Sequence, residues 1–476
     1  MRVMKIKTTN QRLSLICLLI CFWLWPKAPL YAIEVPDPVD GMLTITVQNA
    51  GDLYNNYAAA DITAKGATKL KIVGPLDNYN DFTRIRDVID ATLTQVDLSE
   101  AVLPSNTLPS SAFFNKQTLT AVTLPANLTT IGGSAFNTCK ALTSFTCTTT
   151  GSLTIESSAF QSCNHLTDVS LSAGGGMTIG SSAFSSCTAL QNVTINAVGD
   201  VTLGTSQGGV FSSCAALENF ELHTQGKLTD GYRNMFWNYP SSALRRAILD
   251  ARGAGSVLGE SAFGYCSQLQ ELVLPAGLVS LGRSAFHDCS SLPNVTIPAT
   301  LTSVDGYDMF EGCSSLQSID FSQTSLTALG DYAFYGCSSL TSVSLPNGFT
   351  TISQSMFNGC SSLTTINLPA SITSIGQYAF DGCAQLPSIN VPANVTTMGD
   401  YAFHNCSALT TAILACNIAT LPQRTFQNCS SLQTVSFTGS ITTIGEYAFD
   451  GCSQLRDITL PSGLTTINQY AFYNCI

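Results

Sequence analysis

The sequence predicts an α/β solenoid, in which short, parallel-stranded coils of about 23 residues, mostly β with short turns, stack behind a small α/β N-terminal cap. Three observations favour this fold class. A Phe-x-x-Cys motif recurs through most of the chain, and the apolar residues of one unit follow no single helix or strand period. The composition, with 45% hydrophobic and only 11% charged residues, suits a large core beneath a surface with few ion pairs.

The repeat is marked by a corner phenylalanine with a cysteine three residues later. Fourteen such copies run from Phe136 to Cys475, and Phe113 and Phe236 extend the series to 16 without the cysteine. The spacing is mostly 23 or 24 residues and stays at 23 from Phe334 onward. A period of this length is typical of a solenoid in which each unit forms one coil.

One unit shows how a coil is built. After Phe357, the stretch Leu-x-x-Ile-x-Leu at 363–368 alternates at its end like a short strand, and Pro369 stops it because proline cannot donate to a ladder. Ile372 and Ile375 form a second inward-facing segment. A unit so small buries its apolar side only by stacking on its neighbours. The predicted core ladder includes Phe334, Cys337, Phe357, Cys360, Phe380, Cys383, Phe403 and Cys406.

The unit between Leu455 and Cys475, Leu-x-x-Ile-x-Leu-Pro…Ile…Ala-Phe-x-x-Cys, resembles the BspA-like leucine-rich repeat of Treponema- and Bacteroides-type surface proteins. The resemblance covers most of the chain. It is looser between Phe184 and Phe263, where the spacing between corner phenylalanines lengthens. It implies leucine-rich-repeat coils, a location on the cell surface, and an adhesin-like role in binding host matrix proteins or other bacteria.

The first 32 residues are predicted to be a signal peptide. A basic stretch precedes an apolar run of 13 residues at 13–25, which is shorter than a typical membrane span, and small Ala32 suits a cleavage site. An uncleaved N-terminal anchor is the alternative. Cys17 and Cys21 each follow an isoleucine rather than a small residue, which disfavours a lipid anchor. We therefore expect an exported protein, at the cell surface or secreted.

Removing this leader deletes five positive charges and no negative ones, which takes the net charge from −11 to −16. So acidic a chain repels phosphate groups, and we expect no nucleic-acid partner. Anionic membrane surfaces are disfavoured for the same reason, so membrane association would need an anchor that the sequence does not reveal.

Both ends of the predicted solenoid, which spans 93–476, need an explanation. Residues 33–92 do not repeat and are predicted to form a cap with strands at 42–47 and 69–73 and helices at 51–60 and 81–91. A separate ligand-binding domain is the alternative. The sequence stops directly after a corner, so we expect either that the natural chain continues or that the last coil pairs with a partner.

The mature chain holds 16 cysteines, of which 14 stand in the corner column and two are Cys147 and Cys416. Export favours disulfides in general, but stacked side chains point the same way while a disulfide needs its Cβ atoms to converge. We predict buried free thiols that act as small apolar residues. Zinc is disfavoured because no Cys-x-x-Cys pair occurs. No cofactor or metal is predicted.

Catalytic signatures are not found in the sequence. The four histidines are His165, His223, His287 and His404, and the last two share a column but stand five coils apart. Motifs for serine hydrolases, zinc proteases and phosphate-binding loops do not occur, and the acidic residues are spread singly over predicted turns. We therefore predict a protein that is not an enzyme.

Three surfaces are candidates for binding. The strand face is the column of outward strand positions Thr296, Asp320, Ser344, Asn367, Asn390, Ser436 and Thr459. The irregular coils between Phe211 and Phe263 hold Trp237, Tyr239, Arg245 and Arg246. The tyrosine column, for which a packing role is favoured, is Tyr332, Tyr378, Tyr401, Tyr447 and Tyr470. The predicted partner is a protein; a glycan is the alternative, although the strand face lacks paired aromatics.

Overall fold

A computed structural model describes residues 34–89, 93–204, 208–230, 235–236 and 242–475. The predicted signal peptide lies outside the described residues, as do Trp237 and Tyr239.

The N-terminal segment alternates strands and helices. In chain order its elements are β1 (Met42–Thr46), α1 (Asp52–Asn56), α2 (Ala59–Ala64), β2 (Lys69–Pro75) and α3 (Asn80–Ile89). The predicted single helix at 51–60 is wrong in one respect, because the chain forms two short helices there. Tyr57 (φ −123°, ψ 109°) and Ala58 (φ −70°, ψ 144°) have extended backbones and separate the two helices.

The first strand column lies on one side of the coils. It comprises β3 (Gln95–Val102), β5 (Ala121–Thr123), β7 (Ser144–Thr149), β9 (Asp168–Ala173), β11 (Asn192–Ala197), β13 (Asn219–Thr224), β15 (Arg246–Ala251), β17 (Glu271–Val273), β20 (Ser318–Asp320), β21 (Ser342–Ser344), β23 (Thr365–Ile366), β25 (Ser388–Val391), β27 (Thr411–Leu414) and β29 (Thr434–Phe437).

The second strand column follows the proline or turn of each coil. It comprises β4 (Thr107–Leu108), β6 (Thr130–Ile131), β8 (Leu153–Ile155), β10 (Met177–Ile179), β12 (Val201–Leu203), β14 (Leu228–Asp230), β16 (Ser256–Leu258), β18 (Leu278–Leu281), β19 (Ser303–Val304), β22 (Thr351–Ile352), β24 (Ser374–Ile375), β26 (Thr397–Met398), β28 (Thr420–Leu421), β30 (Thr443–Ile444) and β31 (Thr466–Ile467).

All pairings within both columns are parallel and join each coil to the next. The order β1-β2-β3-β5 places the two N-terminal strands in one sheet with the first two strands of the column. A separate six-stranded sheet then runs from β7 to β17. The second column forms a nine-stranded sheet from β4 to β19. The predicted parallel solenoid is therefore confirmed, with a mean coil length of about 24 residues over the whole series.

The corner phenylalanines form a continuous stack through the core. From Phe113 to Phe449 each is 0% exposed. The rings of Phe334 and Phe357 stack at 5.5 Å between centroids and those of Phe357 and Phe380 at 5.2 Å, and Phe380 stacks on Phe403 at 5.2 Å. The rings stack nearly parallel at these distances because each corner occupies the same position in its coil, so each ring lies directly above its counterpart.

The corner cysteines do more than fill space. All 16 cysteines of the described region are free thiols, and the Cys360 Sγ donates a hydrogen bond of 3.2 Å to the carbonyl oxygen of Phe334 in the preceding coil. Cys383 and Cys406 make the same bond to Phe357 and Phe380, at 3.3 and 3.2 Å. Each thiol thus ties two coils together, a role that the prediction of a small apolar residue did not include.

Proline interrupts the first strand column between β17 and β20. Pro293 and Pro298 flank residues 294–297, where pairing is reduced to a single bridge from Asn294 to Ser318. Because proline has no N–H to donate, a regular ladder cannot run through both sides of this strand. The column therefore resumes as separate three-stranded sheets.

Candidate functional site

The strand face is directed toward solvent along its length. Asp320 stands opposite Ser344 in the register of β20 and β21, and both side chains are exposed. Further along, Asn390 and Ser436 stand on either side of Ile413, which is 38% exposed. Ile413 belongs to this column although the sequence-based prediction left it out, because a search for polar positions does not select an apolar side chain.

Two separate shallow concavities lie on the strand face. Thr296, Asp320 and Ser344 line one of about 540 Å³ beside the interruption at Pro293. Ser436 and Thr459 line another of about 990 Å³. Exposed Asn367 and Asn390 lie between them along the column. The seven predicted residues therefore share one face without forming a single pocket.

A cluster of charged side chains lies on the outward side of β13, β15 and β17. Arg246, at the start of β15, forms an ion pair with Glu221 on β13, and its Nε lies 2.9 Å from the Glu271 Oε2 on β17. The hydrogen bond from Arg246 lowers the pKa of Glu221 below its ordinary range. Arg245 is exposed and forms no ion pair with another described residue, so only one of the two predicted arginines joins the cluster.

A histidine continues this cluster along the strands. His223 lies between two carboxylates, with its Nε2 at 3.6 Å from Glu221 and its Nδ1 at 3.5 Å from Asp250. Arg252 lies 3.4 Å from the same Asp250, and its hydrogen bond lowers the pKa of that carboxyl. We call Glu221, His223, Arg246, Asp250, Arg252 and Glu271 the charged cluster.

The charged cluster corrects the expectation that acidic residues stand singly on turns. Three of its members are carboxylates on neighbouring strands, brought together because His223 pairs in register with Asp250, and Arg246 with Glu271. The sequence does contain the pattern: Glu221 and His223 stand at alternate positions of one predicted strand, and residues of opposite charge follow one coil further along the chain. Predicting the contacts from this pattern would have required knowing the strand register in the irregular coils.

A family model for the BspA-type leucine-rich repeat region, in six copies, matches residues 95–242, 256–386 and 350–476. The chain belongs to this family. The N-terminal segment before residue 95 is outside the match.

Solved structures similar to this BspA-type protein share its repeat class at low identity. A leucine-rich repeat protein from Bacteroides ovatus is 22% identical over 89% of this chain and 90% of its own, with a TM-score of 0.44. A leucine rich cell surface protein from Faecalibacterium prausnitzii is 18% identical over 85% and 93%, with a TM-score of 0.27. The T. pallidum leucine-rich repeat protein is 24% identical over 44% and 81%, with a TM-score of 0.30. A search of curated proteins found no match.

Within the described part of this BspA-type chain, no group of three His, Cys, Asp or Glu side chains is arranged to hold a metal ion. None of the helices described is both long enough and apolar enough to cross a bilayer.

The tyrosine column lies on the corner side of the coils, two residues before each corner phenylalanine. Its members all have left-handed backbones, with φ between 55° and 59°, which is costly for a bulky residue. Four of the five rings stack in two pairs, with the ring centroids 4.6 Å apart for Tyr378 and Tyr401 and 5.0 Å apart for Tyr447 and Tyr470. This agrees with the packing role favoured from the sequence, but it leaves Tyr470 46% exposed.

Proposed function

We propose that this protein is a non-catalytic, exported interaction scaffold, with an adhesin-like role at the cell surface, that binds host or bacterial proteins. The observation that carries the proposal is the charged cluster. It concentrates six titratable side chains, five on three adjacent strands and Arg252 directly after β15, in a chain with only 11% charged residues. Charged groups placed on a rigid face give a protein interface its orientation and selectivity.

The strand face supports the same proposal. It continues from the charged cluster across the interruption at Pro293 and presents small polar side chains on parallel strands. The leucine-rich-repeat fold commonly serves protein interaction, which makes a protein the first partner to test. We further propose a signal peptide at 1–32, a cap at 33–92 and the solenoid at 93–476 as the working division of the chain.

The deciding experiment screens the purified protein against host matrix proteins and bacterial surface proteins, in parallel with a glycan array. A protein ligand should be captured, and the double variant Arg246→Gln/Arg252→Gln should weaken its binding at least tenfold. Lys140→Gln removes a positive charge from an exposed position away from the charged cluster and serves as the control. Binding only to glycans, or equal binding by all three proteins, would contradict the proposal.

Export itself is tested separately. The proposal expects the secreted or surface-exposed protein to begin at Ile33, as measured by mass spectrometry of its N-terminal peptide. Recovery of the intact N-terminus in the cell-envelope fraction would favour the uncleaved anchor instead.

A further inference from the structure

A small polar pocket lies on the corner side of the solenoid, at the coils of Phe263, Phe286 and Phe310. It encloses about 260 Å³. Small-molecule sites usually measure about 300–1,000 Å³, so this corner pocket suits a single side-chain-sized group. Its lining includes Glu260, Ser261, Ser284, Tyr265, Tyr307 and Asp308.

The corner pocket exists because large side chains are replaced by small ones. Ser261, Ser284 and Asp308 occupy the register position that the tyrosine column fills in later coils. Their φ values of 51°, 53° and 63° match the 55–59° of those tyrosines. The backbone is therefore the same, and the pocket corresponds to the space that stacked rings take up elsewhere.

In one of the later coils, an arginine takes the place of a tyrosine in the tyrosine column. Arg424 stands in the same column between Tyr401 and Tyr447, with its guanidinium 5.4 and 5.0 Å from the two ring centroids. Within the corner pocket, the Arg283 guanidinium lies 5.0 Å from the Tyr307 ring centroid and donates to the Tyr307 hydroxyl at 2.7 Å. The same surface thus stacks guanidinium groups against tyrosine at two places.

The charges around the corner pocket favour a cation. Arg283 is already engaged by Glu260. On the other side, burial together with the neighbouring carboxylates of Asp308 and Asp288 raises the pKa of Glu311 to about 7. His287, also in the lining, lies 3.3 Å from Asp288 and 3.7 Å from Glu311, so Asp308 is the carboxylate of the lining on which an entering cation would act. A positive group entering beside Asp308 would relieve this repulsion, since opposite charges favour the ionised form of each carboxyl.

We propose that the corner pocket binds the guanidinium group of an arginine side chain presented by a partner protein. The group would enter beside Asp308 and stack against the tyrosines of the lining, as Arg424 does within the chain. Only the source of the arginine rests on the proposed function. The chemistry of the pocket can be tested with small molecules, whatever the outcome of the search for a protein ligand.

The test titrates the purified protein, carrying 3-fluorotyrosine, with N-acetyl-arginine amide at pH 8 and follows ¹⁹F resonances. The Tyr307 signal, assigned through Tyr307→Phe, should shift in a saturable way. The neutral isostere N-acetyl-citrulline amide should bind at least tenfold more weakly. No saturable shift, or equal binding of the two compounds, would overturn the proposal.

Two pocket variants and one control variant connect the binding to the pocket. Ser284→Tyr places the side chain of the later coils in the cavity and should abolish binding. Ser158→Tyr makes the same substitution at the same register, where φ is 57°, outside the pocket, and should bind normally. Asp308→Asn adds no bulk and should weaken binding of the arginine derivative without weakening that of citrulline. Retained binding in both pocket variants would contradict the assignment, whereas arginine binding without any captured protein would contradict only the scaffold function.

Discussion

The thiol of Cys337 donates a hydrogen bond of 3.1 Å to the carbonyl oxygen of Phe310, one coil earlier. That oxygen also accepts the backbone N–H of Cys313 at 3.1 Å within its own coil. Two successive corners therefore converge on one carbonyl group, and the arrangement recurs through the repeat. It accounts for cysteine at this position, because valine or alanine would leave the bond between coils unmade.

Removing this thiol should therefore cost more than removing a buried thiol that lacks the bond. Cys337→Ala is expected to lower the free energy of unfolding by about 1 kcal/mol more than Cys147→Ala does, the difference being one buried hydrogen bond. Cys147 is 4% exposed, and no hydrogen bond of its thiol to another described residue is found. Urea denaturation followed by circular dichroism measures both. Equal losses would show that the thiol bond contributes nothing.

The corner thiols should be unreactive in the folded protein. Burial raises the pKa of Cys266 and Cys214 to about 12 and that of Cys337 well above its ordinary value, so little thiolate forms at pH 8. With Ellman's reagent, half-buried Cys475 should react first and the buried thiols should react slowly. In guanidinium chloride without reductant, all 16 thiols of the mature chain should titrate, and a much lower count would indicate disulfides.

Glu311 should make the stability depend on pH. Its folded pKa of about 7 lies above the ordinary 4.5, so the folded state holds this proton more tightly than the unfolded state. The contribution is fully present below about pH 4.5 and is lost as pH rises through 7. Glu311→Gln should therefore be more stable than wild type at pH 8, with the gap narrowing toward pH 4.5, in thermal melts. A gap that is constant with pH would refute this.

Asp81 should be essential to the fold of the N-terminal segment. Its carboxylate is 0% exposed and accepts the backbone N–H groups of Gly51 and Asp77 at 2.8 Å and of Tyr54 at 2.9 Å. Asp81→Ala leaves three donors unsatisfied and should cost about 3 kcal/mol or more. Hydrogen exchange of the amides around Gly51 should accelerate. Asp87→Ala, at an exposed position of the same helix, should leave exchange unchanged; equal effects of the two substitutions would argue against this role.

Much of the architecture could be predicted because the signal repeats. A short strand within 363–368, its stop at Pro369 and the corner at Phe380 were all visible in one unit, and the structure places that strand at Thr365–Ile366. Most of the other coils give the same information again. The N-terminal segment, which occurs once, was predicted less well. The break between the two helices at Tyr57 depends on local backbone angles, and no repeated sequence pattern indicates them.

The candidate sites were harder to predict. Arg246 was singled out, but the sequence did not connect it to its partners Glu221 and Glu271, and His223 was counted only as an isolated histidine. Neighbours across a solenoid lie one coil apart, and in the irregular region the coil length itself changes from one coil to the next. A shift of one residue would turn each of these side chains to the opposite face of the sheet.

The sequence by itself determined the coil period, the parallel stacking and the phenylalanine core, because each coil buries its apolar side only against an identical neighbour. Tertiary structure alone decided which side chains of different coils meet. It joined His223 to Asp250 and opened a pocket where Ser284 stands in place of a tyrosine. These contacts depend on register and on the volume of neighbouring side chains, and both are settled only once the coils are stacked.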